Sequence, residues 1–147
     1  MPIHDPAETL RRGKWAEMVA LKLWPDLKPV APGSQRDFNG VDAETPGGGL
    51  VQIKNDSGAD KTGNLFWEIA KRGGAWNAFG KSTVWHMSPS SAHEYVFVSR
   101  AYAYRVSVAE LIGAVNRCDI KPRLTPTSFC FLVPVSSLSV FDRKSTP

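Results

Sequence analysis

The chain has 147 residues and a mass of 16.1 kDa, with 42% hydrophobic and 22% charged residues. These values fit one globular domain over 1–147 and exclude a wholly disordered tail, a collagen-like rod or a long coiled coil. Eighteen Lys and Arg against fourteen Asp and Glu leave a net charge of +4 and a pI near 9.2, a basic excess that permits a nucleic-acid partner without requiring one.

No run reaches the roughly 20 apolar residues of a membrane helix. The opening MPIHDPAETLRRGK lacks the apolar stretch of an export signal, so a cytoplasmic protein with no membrane partner is expected. Cys118 and Cys130 form no CxxC pair, and His4, His86 and His93 are scattered. A four-ligand zinc site is therefore not expected, and two reduced thiols are.

The terminal stretches 1–6 and 142–147 are polar and contain proline, and are expected to be loose. Residues 7–24 read as a helix, with Leu10, Ala16, Val19, Ala20, Leu23 and Trp24 at steps of three and four and Pro25 as the stop. Residues 26–31 run extended, and 33–40 are turn-rich. Val41–Ala43 and Leu50–Lys54 flank a Gly-rich turn and read as a hairpin, followed by a polar loop over 55–63. Asn64–Ile69 and Ser82–Met87 read as further strands, and Tyr95–Val98 as a central strand. Residues 107–117 read as an amphipathic helix with Ser107 as N-cap, and Phe129–Val133 as the last strand. This order predicts an α/β fold with one mixed central sheet flanked by helices.

Two segments suggest chemistry. Phe79–Thr83 looks like the end of a phosphate-binding loop, but Ala75 stands where the pattern needs glycine, and the residues that follow are strand-like. The hairpin is the better candidate. Asp42 ends one strand, while Gln52 and Lys54, two apart on the next, share a face. A surface ion pair of Asp42 with Lys54 would give the same spacing. Buried charges, however, are expensive unless paired or metal-bound.

In order along the chain stand Arg-Arg-Gly-Lys-Trp-Ala-Glu over 11–17, Ala-Pro-Gly-Ser-Gln-Arg-Asp over 31–37, Gly-Val-Asp-Ala over 40–43 and Val-Gln-Ile-Lys over 51–54. This set resembles the PD-(D/E)xK nuclease superfamily, and within it the archaeal and phage type of Holliday junction resolvase. It covers residues 11–56, about a third of the chain. The family's positions would fall on Glu17, Ser34, Asp42, Gln52 and Lys54. Two departures stand out: Val41 precedes Asp42 where the family has Pro, and Gln52 replaces the usual Glu.

The resemblance implies a restriction-endonuclease-like fold and a Mg²⁺-dependent endodeoxyribonuclease, with Mn²⁺ able to substitute. Asp42, Gln52 and the carbonyl of Ile53 would hold the metal, and Glu17 would act through water or on a second ion. Lys54 would orient the attacking water or neutralise charge on the phosphate, and Ser34 would steady a phosphate or form a turn. Glu68, if its strand paired with 50–54, or Glu44, on Asp42's face, would supply the missing charge; either could equally be an ordinary strand residue. Arg11, Arg12, Lys14, Arg36, Lys61, Lys71, Arg72 and Lys81 would track the DNA backbone. Trp15, Trp24, Trp67, Trp76 and Trp85 read mostly as core, with Trp76 placed in a loop where it could stack on a base. Paired nicks in a four-way junction would require a two-fold homodimer. Another nuclease of the superfamily, and a non-catalytic DNA-binding module on a degenerate nuclease fold, stay open as alternatives.

Overall fold

The first helix, α1 (Pro6–Leu23), begins a computed structural model that describes residues 6–31, 33–34, 41–72, 85–87, 92–126 and 128–147, with backbone alone at 6, 9, 70–72 and 85–87. Strands β1 (Lys28–Pro29), β2 (Ala43–Glu44) and β3 (Leu50–Asn55) follow, then the one-turn helix α2 (Ala59–Thr62). The chain continues through β4 (Asn64–Arg72), β5 (Trp85–Met87), β6 (Glu94–Val98) and β7 (Tyr102–Ser107). Helix α3 (Val108–Arg117), β8 (Arg123–Leu124), β9 (Ser128–Pro134), a 3₁₀ turn (Val135–Ser137) and β10 (Asp142–Ser145) complete it.

The fold is mixed α/β with a mixed central sheet, as expected, and the described strands also form a second sheet beyond the single one expected. One has the order β1-β2-β3-β6-β7-β10, and the other β5-β4-β9-β8. The first is mixed, because β3 and β6 run parallel while its other pairs are antiparallel.

Alternation along the central strands makes two cores. Val51 and Ile53 of β3, Val96 and Val98 of β6, and Ala103 of β7 pack beneath Ala16, Val19 and Ala20 of α1. Tyr95, Phe97, Tyr104 and Val106 turn to the other face. There they meet Leu65, Trp67 and Val133 of the second sheet and Leu111 and Ala114 of α3. Phe97, Leu65 and Leu111 are fully buried, each worth about 1.5–3 kcal/mol of transfer free energy. Leu10 departs from the expected helix stripe and is 60% exposed, because the sheet supports only the C-terminal half of α1.

The hairpin forms, but its first strand is Ala43–Glu44 rather than Val41–Ala43, so Asp42 precedes the strand instead of ending it. Ala43 pairs with Val51, and the Thr45 side chain closes the turn by accepting from Gly49 N at 2.8 Å. Gly48 supplies a φ of +85° that a side chain would resist. Ser107 caps α3, its Oγ accepting from Glu110 N at 3.0 Å.

Other expectations are corrected. Residues 59–62 of the supposed polar loop form α2, β4 extends to Arg72, and 102–107 form a strand. The supposedly loose tail contains β10, an edge strand paired with β7. That tail also ties down α1: Trp24 Nε1 donates to Asp142 Oδ2 at 2.7 Å, and Lys144 Nζ donates to the Leu23 carbonyl at 2.9 Å. Because Trp24 is buried, Asp142→Ala strands an indole N–H. The expected cost is about 2 kcal/mol, or a Tm drop of roughly 4–8 °C, measurable by thermal denaturation.

Candidate metal site and adjoining basic cleft

Asp42 lies just ahead of β2, where the strand alternation turns it away from α1. Its backbone N–H donates to the Val51 carbonyl at 2.8 Å, and its Oδ2 accepts from Ile53 N at 2.7 Å. The carboxylate therefore stands in for a ladder partner beyond the end of β2. A strand residue directs its N–H and C=O to the same edge, so the Ile53 carbonyl faces Asp42's side of β3.

Gln52 and Lys54 point to the face opposite Val51 and Ile53, in register with Tyr95 and Phe97 of β6. Gln52 is 6% exposed, and its buried Oε1 has no hydrogen-bond partner. Lys54 is half-buried. One face of the hairpin thus presents a carboxylate, an orphaned amide oxygen and a lysine. Orphaned buried acceptors are rare and costly, about 1–3 kcal/mol each. An all-oxygen set with one carboxylate suits a hard cation such as Mg²⁺ or Mn²⁺, which keeps waters and takes substrate oxygens as further ligands. Among the described residues no group of three or more His, Cys, Asp or Glu side chains is placed to hold a metal ion.

The other sequence candidates fall as follows. Glu17 is exposed on α1, the helix that covers the Val51–Ile53 face. Ser34 is half-buried in a turn whose N–H bonds the Ala31 carbonyl, just after Val30, which donates to the Asp42 carbonyl. Glu44 lies opposite Leu50, at the turn end of the hairpin and away from Lys54. For Glu68, the pairing that would bring it to this face does not occur: β4 pairs with β5 and β9. Leu65 and Trp67 turn into the second core, so Glu68 takes the other side of β4, where its carboxylate accepts from Ser128 Oγ at 2.6 Å. Arg36, Trp76 and Lys81 lie outside the described residues, as does Phe79–Thr83. Lys71 and Arg72 are described in backbone only, at the end of β4, and Trp85 in β5. Trp24 and Trp67 are core residues, as expected.

Past the end of β3 opens a cleft of about 640 Å³, with Arg11, Arg12, Trp15, Asn55, Lys61 and Arg100 among its lining residues. Asn55 follows Lys54 but alternates to the α1 face, so the cleft opens past the end of β3 on the side opposite Gln52 and Lys54. The structure brings together three of the expected DNA-contacting cations, while Lys14 is exposed elsewhere on α1. Arg100 was missed, because it sits in the β6–β7 turn and β7 itself was not expected. The alternating Tyr102-Ala-Tyr-Arg-Val106 is the signal that could have found it.

Two carboxylates share the cleft, and both are engaged. Glu8 accepts from Arg11 and Arg12, which hold its carboxyl below the usual range. Asp60 accepts from Ser99 Oγ at 2.6 Å and from Ala101 N at 3.0 Å, fastening α2 to the β6–β7 turn.

Asp56, just beyond β3, is buried and accepts from Phe66 N at 2.7 Å. Burial raises its pKa, against the pull of that hydrogen bond. The folded form therefore keeps its proton to higher pH than the unfolded chain. The group favours folding below the ordinary aspartate range and loses that contribution as pH rises through its raised value. Asp56→Asn keeps an acceptor for Phe66. Its Tm advantage over the parent is expected to grow from acid to neutral pH, and an unchanged difference across that range would contradict the assignment.

No protein-family model matches the chain, and no curated protein matches it.

Proposed function

We propose that the chain is a Mg²⁺-dependent endodeoxyribonuclease of the PD-(D/E)xK kind with a restriction-endonuclease-like fold, acting on branched DNA, with resolution of four-way junctions by a homodimer as its expected activity. The observation that carries this reading is the shared face of Asp42, the orphaned Gln52 Oε1 and Lys54. Asp42 and Gln52, joined by the Ile53 carbonyl, would hold the cation. When bound, it would polarise the scissile phosphate and make a water nucleophilic at neutral pH. Lys54, two residues from Gln52 on the same face, would offset charge building on the phosphate. Glu17 would act only through intervening water, from the helix over the opposite face. Arg11, Arg12, Lys61 and Arg100 would hold flanking phosphates without reading sequence.

A second reading, a non-catalytic DNA-binding module, is favoured by Gln52 itself, which offers the cation an oxygen but no charge. A labelled four-way junction and a linear duplex of the same arm sequence, each with and without Mg²⁺, separate these readings. Paired nicks confined to the junction support the resolvase, and equal cutting of both substrates supports another nuclease of the superfamily. Salt-sensitive binding without cutting supports the binding module.

A further inference from the structure

The cleft beside β3 combines features that a duplex-tracking surface does not need. Trp15 lines it and is half-buried, its other side packed on the first core. Glu8 engages Arg11 and Arg12. The Lys61 ammonium and the Arg100 guanidinium, by contrast, have no side-chain hydrogen bond or ion pair among the described residues and are exposed. The recess, about 640 Å³, is within the range of sites that take a ligand of nucleotide size. An indole contributes stacking only to a base whose face is free, whereas bases inside a duplex already stack on their neighbours. Two uncommitted cations beside an indole match the phosphate and the base of one unpaired nucleotide.

We infer that this cleft is a subsite for an unpaired DNA nucleotide, with Trp15 against the base and Lys61 and Arg100 on its phosphates. The inference deepens the nuclease reading and rests on it for the substrate being DNA: the cleft opens past the end of β3 on its α1 face, and Gln52 and Lys54 lie on the other face. The substrate class it names is DNA with an unpaired strand next to the cut: a flap, an open branch point or a frayed end.

The test is fluorescence anisotropy with a labelled oligothymidylate and a duplex of equal length, titrated in EDTA over a range of salt. The intact chain should prefer the single strand. Trp15→Leu, which keeps apolar bulk against the core, should lower single-strand affinity roughly tenfold and remove the preference. The exposed pair Lys61→Gln/Arg100→Gln leaves the core untouched and should lower the salt slope of single-strand binding by about 1.4, two phosphates' worth. Equal affinity for both DNAs in the intact chain, or single-strand binding indifferent to the double variant, would overturn the inference. Because EDTA removes any role for the cation site, the two readings fail separately. Cleft-dependent single-strand binding with no cleavage under any metal leaves this inference standing and removes the nuclease. Mg²⁺-dependent cleavage with an indifferent cleft does the reverse.

Discussion

Asp42→Asn is expected to lower Mg²⁺-supported cleavage about 10³-fold, roughly 4 kcal/mol of barrier, with little change in Tm. The asparagine oxygen can still accept from Ile53 N, the bond now made at 2.7 Å, so the hairpin edge keeps its closure. What disappears is the one negative charge among the proposed cation ligands. Lys54→Ala should act on the same step with a comparable loss, since it removes the cation proposed to offset charge on the phosphate. Glu17→Gln should cost about 10–100-fold at most, the share of a group outside the ligand set, because α1 covers the other face of β3. Measured rates with Asp42→Asn at parental level would remove the site assignment; a Glu17 effect as large as that of Asp42 would require α1 to reach the hairpin's other face.

Gln52→Leu is expected to separate stability from activity. Its buried Oε1 has no partner, a cost the fold tolerates and an apolar side chain of similar size avoids. In metal-free buffer the variant should melt higher by roughly 2–4 °C, about 1 kcal/mol for a chain of this size. It should also lose Mg²⁺-dependent cleavage by about 10²-fold or more, having lost an oxygen ligand. Gln52→Glu should behave oppositely. A buried carboxylate without a partner lowers metal-free stability, and excess Mg²⁺ should recover it through binding to the folded form. Melting curves in EDTA and in Mg²⁺ check both variants; a Gln52→Leu variant less stable than the parent in EDTA would mean that the orphaned oxygen is not a stored cost.

The parts of the fold that were legible in the sequence are those set by near neighbours. The periodicity of α1, the Gly-rich turn of the β2–β3 hairpin, the apolar run of β6 and the Ser107 cap of α3 all follow from residues within a few positions of one another. Partners distant in the chain were not legible. Nothing local in Asn64–Arg72 says that it pairs with β9 rather than β3, and Asp142–Ser145 reads as a polar tail until β7 offers it an edge. The candidate site divides in the same way. Asp42, Gln52 and Lys54 come together because one hairpin carries all three. Glu68 was tied to them only through a strand pairing that does not form. Arg100 joins Arg11 and Lys61 because a hairpin turn, a one-turn helix and the first half of α1 meet in space, a convergence that no spacing encodes.

The most direct test of the account is a titration of the metal-free chain with Mn²⁺, read by electron paramagnetic resonance and by calorimetry, on the parent, Asp42→Asn and Gln52→Leu. The account predicts one Mn²⁺ site in the parent, displaced by Mg²⁺, weakened in Gln52→Leu and abolished in Asp42→Asn. Binding of the same stoichiometry and affinity in all three proteins would contradict it.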